Sequence, residues 1–352
     1  MQSEQNTTTR TLTERSARNA LGAAATAGIG LGAWLAPVVL DRDARRFLTN
    51  GRGIAGDRPS DVPTMPAARW RRAATAPWGP DPLVEYARVN GTNLPYREMG
   101  DGPPLLYIHG GGGGWWGFDD VGAHLADAYR VIAYSRRGYT AAGEPVTSRA
   151  QHQEDAACLI EQLDARGVIV VALSGGGPVA VDLALERPDL VTGLILLEPA
   201  LLLRQHATAD VLRVGLSLQV RRWFLPDEQA IIPLFRFVFE HDDGGNPWED
   251  PDFPEQLRYG ILATAPAAYA DLAGSAYGLR SVPPEVLAGL DLPVALVVGE
   301  RTRPVFRRII DTLEELIPGA TAVEVPEAGH VMTYDNPKGV ADAIRSSVLQ
   351  ML

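Results

Sequence analysis

The chain has 352 residues, 46% apolar and 21% charged, a composition that fits a globular protein of one large domain or two ordinary ones. Its formal net charge of −11 argues against a nucleic-acid partner, because phosphate contacts need clustered lysine and arginine. The single cysteine, Cys158, excludes an internal disulfide and a cysteine zinc cluster, and within its helical run it reads as a small buried apolar residue.

Residues 1–19 are polar and carry Arg10, Arg15 and Arg18. Residues 20–40 then run without a charge, long enough to span a bilayer as a helix. Gly28 and Gly32 give this run a spacing that lets helices approach closely. The first reading of residues 1–40 is an N-terminal arm with an uncleaved membrane anchor at 20–40, which would make the protein membrane-associated. The alternatives are a secretory signal and a surface-packed or disordered segment, hence a secreted or cytoplasmic protein. No small-x-small cleavage site stands out, and Pro37 directly follows Ala36. Arginines flank both ends of the run, so its orientation stays open. Residues 41–82 repeat Pro, Arg, Asp and Ala without periodicity and read as a linker. Within them Arg69, Arg71 and Arg72 around Trp70 read as a solvated face ahead of a lipid-headgroup contact.

The folded region begins near Pro82. Residues 83–89 alternate, Asn90-Gly91 is a hairpin turn, and residues 94–98 return. A buried strand is expected over 104–108, a helix over 118–128 and a strand over 129–134. A loop through Arg136, Arg137, Gly138 and Tyr139 leads to a helix over 148–165. Strands follow at 168–172 and 191–197, with a helix over 179–185 between them. This alternation is that of a mostly parallel sheet flanked by helices. Residues 200–290 break the rhythm: they are helical in pattern, rich in aromatics such as Trp223, Phe224, Phe235, Phe237 and Phe239, and interrupted at 242–254. They read as an inserted helical cap within a core of residues 83–199 and 291–352. A strand at 293–298, a helix at 305–317, a strand at 321–325 and a closing helix at 336–352 finish the chain.

The stretch from Val168 through Ala172 and Leu173 to Ser174, Gly175, Gly176, Gly177 and Pro178 places a serine between a buried strand and a helix. Such a turn is tight enough to demand small residues two before and two after the serine, here Ala172 and Gly176. The helix start beside the hydroxyl favours negative charge. Taken alone, the same stretch also fits a glycine-rich phosphate loop.

With three further segments the chain resembles the α/β-hydrolase superfamily over roughly residues 83–352. These are His109-Gly110-Gly111 after the third strand, Arg137-Gly138 after the fourth and Ala328-Gly329-His330 after the last, beside Ser174 after the fifth. The resemblance implies an α/β-hydrolase fold with Ser174 as nucleophile, His330 as base and the backbone N–H groups of Gly111 and Gly175 as oxyanion donors. It makes His109 a shaper of the oxyanion loop. His124, His152, His206 and His241 read as surface or core residues. Five successive glycines, 110–114, suggest a hole poorly organised unless substrate or the packing of Trp115 and Trp116 orders it.

The acid is the open member. The commonest family position falls on Thr302, which cannot carry the charge that stabilises an imidazolium. Glu198, at the end of the sixth strand, is the first choice and Glu300 the alternative; Glu198 also reads as an ion-paired carboxylate at the cap junction, and a chain without an acid is a third option. Within the superfamily that the chain resembles, haloalkane dehalogenases and epoxide hydrolases use aspartate at the elbow, so serine disfavours their reactions despite the possible shared acid placement. No P-loop lysine and no metalloprotease motif occur, and neither cofactor nor metal is expected.

The expectation is therefore a cofactor-independent serine hydrolase acting on a small, largely apolar ester, thioester, lactone or amide through an acyl-enzyme. Other chemistry of the fold (C–C hydrolase, lyase, haloperoxidase or acyltransferase) and a non-catalytic binding protein are the alternatives. The partner implied is a small-molecule substrate, with a membrane added if residues 20–40 anchor the chain; oligomeric state is not legible.

Overall fold

The central strands are near-continuous apolar runs because both of their faces are covered. The computed structural model describes residues 83–139, 148–275 and 282–351. The expected anchor at 20–40 and linker at 41–82, with its arginines around Trp70, lie outside the described residues. Among the described residues no helix is long and apolar enough to cross a membrane.

The strands are β1 (Glu85–Val89), β2 (Thr92–Met99), β3 (Pro104–Ile108), β4 (Arg130–Tyr134), β5 (Val168–Leu173), β6 (Val191–Leu197), β7 (Val294–Gly299) and β8 (Thr321–Val325). They form one sheet in the order β1-β2-β4-β3-β5-β6-β7-β8. The β1–β2 and β2–β4 pairs are antiparallel, and the other five are parallel. The helices between and after the strands of the core's first half are α1 (Asp119–Leu125), α2 (Arg149–Gln162) and α3 (Gly177–Glu186). The insertion holds α4 (Ala209–Arg222), α5 (Asp227–Ala230), α6 (Ile232–Phe239), α7 (Glu255–Ala263), α8 (Ala265–Ser275) and α9 (Pro284–Leu287). The core resumes with α10 (Pro304–Leu316), α11 (Met332–Asp335) and α12 (Pro337–Met351). This is the α/β-hydrolase fold with a helical insertion.

Alternation along the strands sorts side chains into two cores. Leu105, Tyr107, Val171, Leu173, Ile195 and Leu197 pack with α1 and α12. Leu106, Ile108, Val170, Ala172, Leu194 and Leu196 pack with α2, α3 and α10. Ile108, Ala172, Leu196 and Leu296 are register partners across four strands. Ala172, the departure from glycine at the elbow, is thus an ordinary buried member of that row. In α10 the buried residues Val305, Phe306, Ile309, Ile310 and Leu313 recur at helical spacing and form its single apolar stripe.

Three local expectations need adjusting. A 3-10 turn, Trp115–Phe118, with Trp115, Trp116 and Phe118 buried, precedes α1, which spans only Asp119–Leu125 where a helix over 118–128 was expected. The break at 242–254 is a fixed loop: Trp248 is buried between Phe235 and Phe239 with ring centroids 5.4 and 5.5 Å away. Cys158 is half-buried, and its thiol donates to Asn90 at 3.4 Å.

Arg137 ties this frame together. Its Nε and Nη2 donate to both oxygens of Asp155 on α2 at 2.7 Å, and Nη2 also donates to the Asn90 carbonyl in the β1–β2 turn. Asn90 Nδ2 completes the triangle on Asp155 Oδ1. Both charged side chains are buried. Breaking a buried pair leaves an uncompensated charge, whereas replacing both partners by apolar groups does not. Arg137→Met alone should therefore cost about 3–5 kcal/mol in denaturant unfolding of the full chain. Arg137→Met with Asp155→Leu should cost distinctly less; a double variant as damaged as the single one would contradict this account.

Candidate active site

Chemistry-bearing residues collect at the carboxyl edge of the sheet, where β5, β6, β7 and β8 end. Ser174 directly follows β5 and Glu198 directly follows β6. Both adopt left-handed backbone angles, φ 49° and 38°, a conformation that costs an L-residue about 1–2 kcal/mol. The elbow explains the cost at Ser174. The chain reverses from strand into a 3-10 turn, Ser174–Gly176, and then into α3. A Cβ on Gly176 would stand 2.3 Å from the Ile108 carbonyl oxygen, and one on Gly177 2.4 Å from Pro199 Cβ. No side chain fits at either position. The Ser174 carbonyl accepts from Ala200 N–H at 2.8 Å, which fixes the far side of the turn.

Three sequence-predicted residues come together through hydrogen bonds. His330 Nε2 lies 3.0 Å from Ser174 Oγ, and His330 Nδ1 lies 2.8 Å from Glu198 Oε2. A carboxylate only accepts, so the imidazole proton sits on Nδ1 and the Nε2 lone pair faces the serine hydroxyl. The His330 ring also stacks on Phe306 of α10, centroids 3.9 Å apart. Its loop is held by Arg301 N–H on the Ala328 carbonyl and by Gly329 N–H on Asp335 Oδ2, both at 2.8 Å.

Glu198 is fully buried, and its carboxylate is satisfied on both oxygens. Gly299 N–H donates to Oε1, and the Thr302 hydroxyl joins His330 on Oε2, all at 2.8 Å. Thr302 thus occupies the position where the resemblance places an aspartate and serves there as a donor to the glutamate from the neighbouring strand. Sequence reasoning missed that role, and the residue's position was the available signal. Glu300 is not brought to the histidine: it is exposed, and its side chain accepts from Glu327 N–H at 2.8 Å.

The glycine run is anchored rather than loose. Gly113 N–H donates to the Gly110 carbonyl at 3.3 Å, and Trp115 N–H donates to Ser135 Oγ at 3.1 Å. His109 is completely buried, and its Nε2 accepts from Arg136 N–H at 2.9 Å. Its proton is therefore on Nδ1, which donates to the Gly110 carbonyl at 2.7 Å. Burial first, and the Arg136 charge second, hold His109 well below its ordinary pKa, so it stays neutral. Gly111 and Gly175 are adjacent across the site: a Cβ on Gly175 would lie 3.4 Å from the Gly111 nitrogen.

Ser174 and His330 open on a cavity of about 1180 Å³ between the sheet edge and the insertion. Its wall is mainly apolar, with Trp116, Val214, Leu218, Phe235 and Ile261, and its polar lining includes the trio Arg136, His152 and Asp271. The other histidines read as core or surface residues lie elsewhere or serve packing. His206 accepts from Leu203 N–H and meets Thr312 Oγ1, and His241 stands 3.5 Å from Asp335 behind the His330 loop. His124 ends α1. His152 and His206 differ from that reading by lining the cavity. Among the described residues no cluster of His, Cys, Asp and Glu is arranged to hold a metal ion.

Comparison with known proteins agrees with this fold. The model of the "Alpha/beta hydrolase family" matches residues 105–343. The chain is 35% identical over 123 residues to "Uncharacterized hydrolase YraK" of Bacillus subtilis, covering 34% of this chain and 45% of that protein. It is 26% identical over 277 residues to "2-(acetamidomethylene)succinate hydrolase" of Mesorhizobium japonicum, covering 75% of this chain and 94% of that one. A solved serine hydrolase involved in carbazole degradation, the CarC enzyme, superposes with a TM-score of 0.62 at 22% identity, over 76% of this chain and 99% of its own. Relatives also include haloalkane dehalogenases, an epoxide hydrolase and a non-heme chloroperoxidase, and esterases share the fold. The chain belongs to the alpha/beta hydrolase family and is a hydrolase of that fold.

Proposed function

We propose that this chain is a cofactor-independent serine hydrolase that cleaves a small, largely apolar ester, thioester, lactone or amide through an acyl-enzyme. The observation that carries the reading is the continuous hydrogen-bonded path from Ser174 Oγ through the His330 ring to the buried Glu198 carboxylate. A serine hydroxyl is a weak nucleophile at neutral pH and needs a base within hydrogen-bond reach. His330 Nε2 takes the proton as Oγ attacks the substrate carbonyl carbon. Glu198 holds the ring in the tautomer that makes this transfer productive and faces the positive charge that develops on it. The Gly111 and Gly175 N–H groups receive the oxyanion. Collapse of the tetrahedral adduct expels the alcohol, thiol or amine, which takes the proton from Nε2. Water, deprotonated by the same nitrogen, then frees the acid and restores Ser174.

The apolar cavity wall supports a substrate with a mainly apolar acyl or leaving group. The chloroperoxidase among the relatives favours one second reading, in which hydrogen peroxide replaces water at the acyl-enzyme and yields a peracid. In both readings the first half-reaction is the same. We further propose that residues 20–40 anchor the domain at a membrane face, where lipophilic substrates partition; their uncharged length supports this.

A fluorophosphonate probe should label Ser174 in the full chain. Ser174→Ala and His330→Ala should abolish labelling, Glu198→Gln should slow it by about a hundredfold or more, and Glu300→Gln should leave it within about twofold. Peptide mapping by mass spectrometry reads the site. A folded wild type that stays unlabelled, or a larger effect from Glu300→Gln than from Glu198→Gln, would contradict the assignment.

Thr302→Val should lower kcat/KM about tenfold, since a hydrogen bond to a charged group contributes about 1.5–3 kcal/mol. Thr302→Ser, which keeps the hydroxyl, should recover most of that loss. Equal losses in both variants would mean that the methyl group and not the hydroxyl matters.

On cell fractionation with carbonate extraction, the full chain should stay in the membrane pellet and a chain lacking residues 20–40 should leave it. Release of the full chain by carbonate would remove the anchor reading.

A further inference from the structure

Arg136 lies beside the oxyanion loop and is 1% exposed. A buried guanidinium is tolerable only when its charge is paired and its N–H groups find acceptors. Its charge meets Asp271 on α8 of the insertion, Nη2 to Oδ2 at 2.8 Å. Asp271 also accepts from the Tyr139 hydroxyl at 2.7 Å and faces His152 Nε2 at 3.0 Å. Burial, the largest single influence, acts to raise the Asp271 carboxyl, but the Arg136 guanidinium together with the His152 and Tyr139 hydrogen bonds holds this group below the usual carboxylate range. The guanidinium also lies over the Tyr139 ring, 4.5 Å from its centroid, and makes two backbone contacts: Nε donates to the His109 carbonyl at 3.1 Å and Nη2 to the Gly110 carbonyl at 3.4 Å.

The second of these contacts matters for chemistry. The Gly110 carbonyl and the Gly111 N–H belong to one peptide plane, and among the described residues no peptide is cis. In a trans peptide the two groups point in opposite directions. With the Gly110 oxygen held on the Arg136 and His109 side, the Gly111 N–H is directed the other way. The Gly111 nitrogen lies beside the elbow: a Cβ on Gly175 would stand 3.4 Å from it. Two adjoining glycines impose little barrier to rotation of this plane. Rotation would withdraw the N–H and bring a carbonyl oxygen to the place where the oxyanion forms. Gly113 N–H and His109 Nδ1 also hold the Gly110 oxygen, but both belong to the loop itself. Of the groups on the Gly110 oxygen, Arg136 is the one tied by a charge to the insertion.

We propose that Arg136 is a positioning residue for the oxyanion site and that its pairing with Asp271 makes correct seating of the helical insertion a condition for a correctly oriented Gly110–Gly111 peptide. The inference rests on the serine-hydrolase reading above. It links substrate entry beneath the insertion to readiness of the oxyanion donors, because a lifted α8 removes the counter-ion that keeps the guanidinium in place. Peptide orientation affects the transition state far more than the bound substrate, so the loss falls on kcat.

The test uses the full chain, p-nitrophenyl butyrate as substrate and an aliphatic trifluoromethyl ketone as inhibitor, whose hemiketal oxygen occupies the oxyanion position. Arg136→Met should lower kcat about 10–100-fold, somewhat less than outright loss of an oxyanion donor, with KM changed by less than about threefold. Inhibition by the ketone should weaken by the same factor as kcat/KM. Arg136→Lys should recover part of both. Asp271→Asn should shift kcat and ketone affinity in the same direction, and the double variant should be no worse than Arg136→Met alone. Asp271→Asn also carries the test if Arg136→Met fails to fold. Unchanged kcat and ketone affinity, a change confined to KM, or ketone affinity that does not follow kcat/KM would overturn the proposal. Turnover in the wild type that Ser174→Ala abolishes, together with indifferent Arg136 and Asp271 variants, would sink this proposal and leave the serine-hydrolase reading standing. Wild-type turnover that survives Ser174→Ala would sink that reading first, and this one with it.

Discussion

A single buried carboxylate organises the site. Glu198 leaves β6 in a strained left-handed turn and receives a backbone N–H from the end of β7, a hydroxyl from the loop after β7 and the imidazole of the loop after β8. Burying a carboxylate without partners costs several kcal/mol, so these three donors are a condition of the fold as well as of the chemistry. The same contacts that satisfy the charge also fix the His330 ring, and the ring in turn faces the Ser174 hydroxyl. Phe306 closes one face of the imidazole, so its plane is set by packing as well as by hydrogen bonds.

The sheet makes this convergence affordable in conformational terms. β5, β6, β7 and β8 are parallel neighbours, so the residues that follow them emerge along one edge. Two of those residues, Ser174 and Glu198, hold unfavourable backbone angles. Each is clamped by its surroundings: Gly176 and Gly177 against backbone and proline at the elbow, and Glu198 N–H on the Val297 carbonyl at 3.0 Å. Backbone strain at functional positions persists where neighbours over-determine it. The insertion then roofs this edge with aromatic and aliphatic side chains, leaving a mainly apolar cavity above Ser174 and His330.

Much of this was legible in the sequence because its cause is local. Both-face burial makes the core strands apolar runs, and their expected limits fall within about two residues of those observed. The elbow was readable because sterics leave only small residues around Ser174. The choice between Glu198 and Glu300 was not local. It depends on β6 pairing with β7, Leu197 opposite Val297, which brings Glu198 beside Gly299 and Thr302, 101 and 104 positions away. Glu300 instead continues the β8 contacts, its N–H on the Val325 carbonyl and its side chain outward. Arg136 and Asp271 were invisible for the same reason, since 135 positions separate them and no periodic pattern marks a pair of single charges. The break at 242–254 was read only as an interruption because glycine, proline and aspartate dominate it, and the burial of Trp248 that fixes it was not legible from composition.

The central claim is that Ser174 becomes acylated. Rapid acid quench of the full chain with excess p-nitrophenyl butyrate, followed by intact mass and peptide mapping, addresses it directly. The account predicts an increment equal to one butyryl group, located on the peptide containing Ser174, formed with a burst of p-nitrophenol close to one per active chain and absent in Ser174→Ala. Turnover by a folded chain with no covalent increment, or with the increment on another residue, would contradict it.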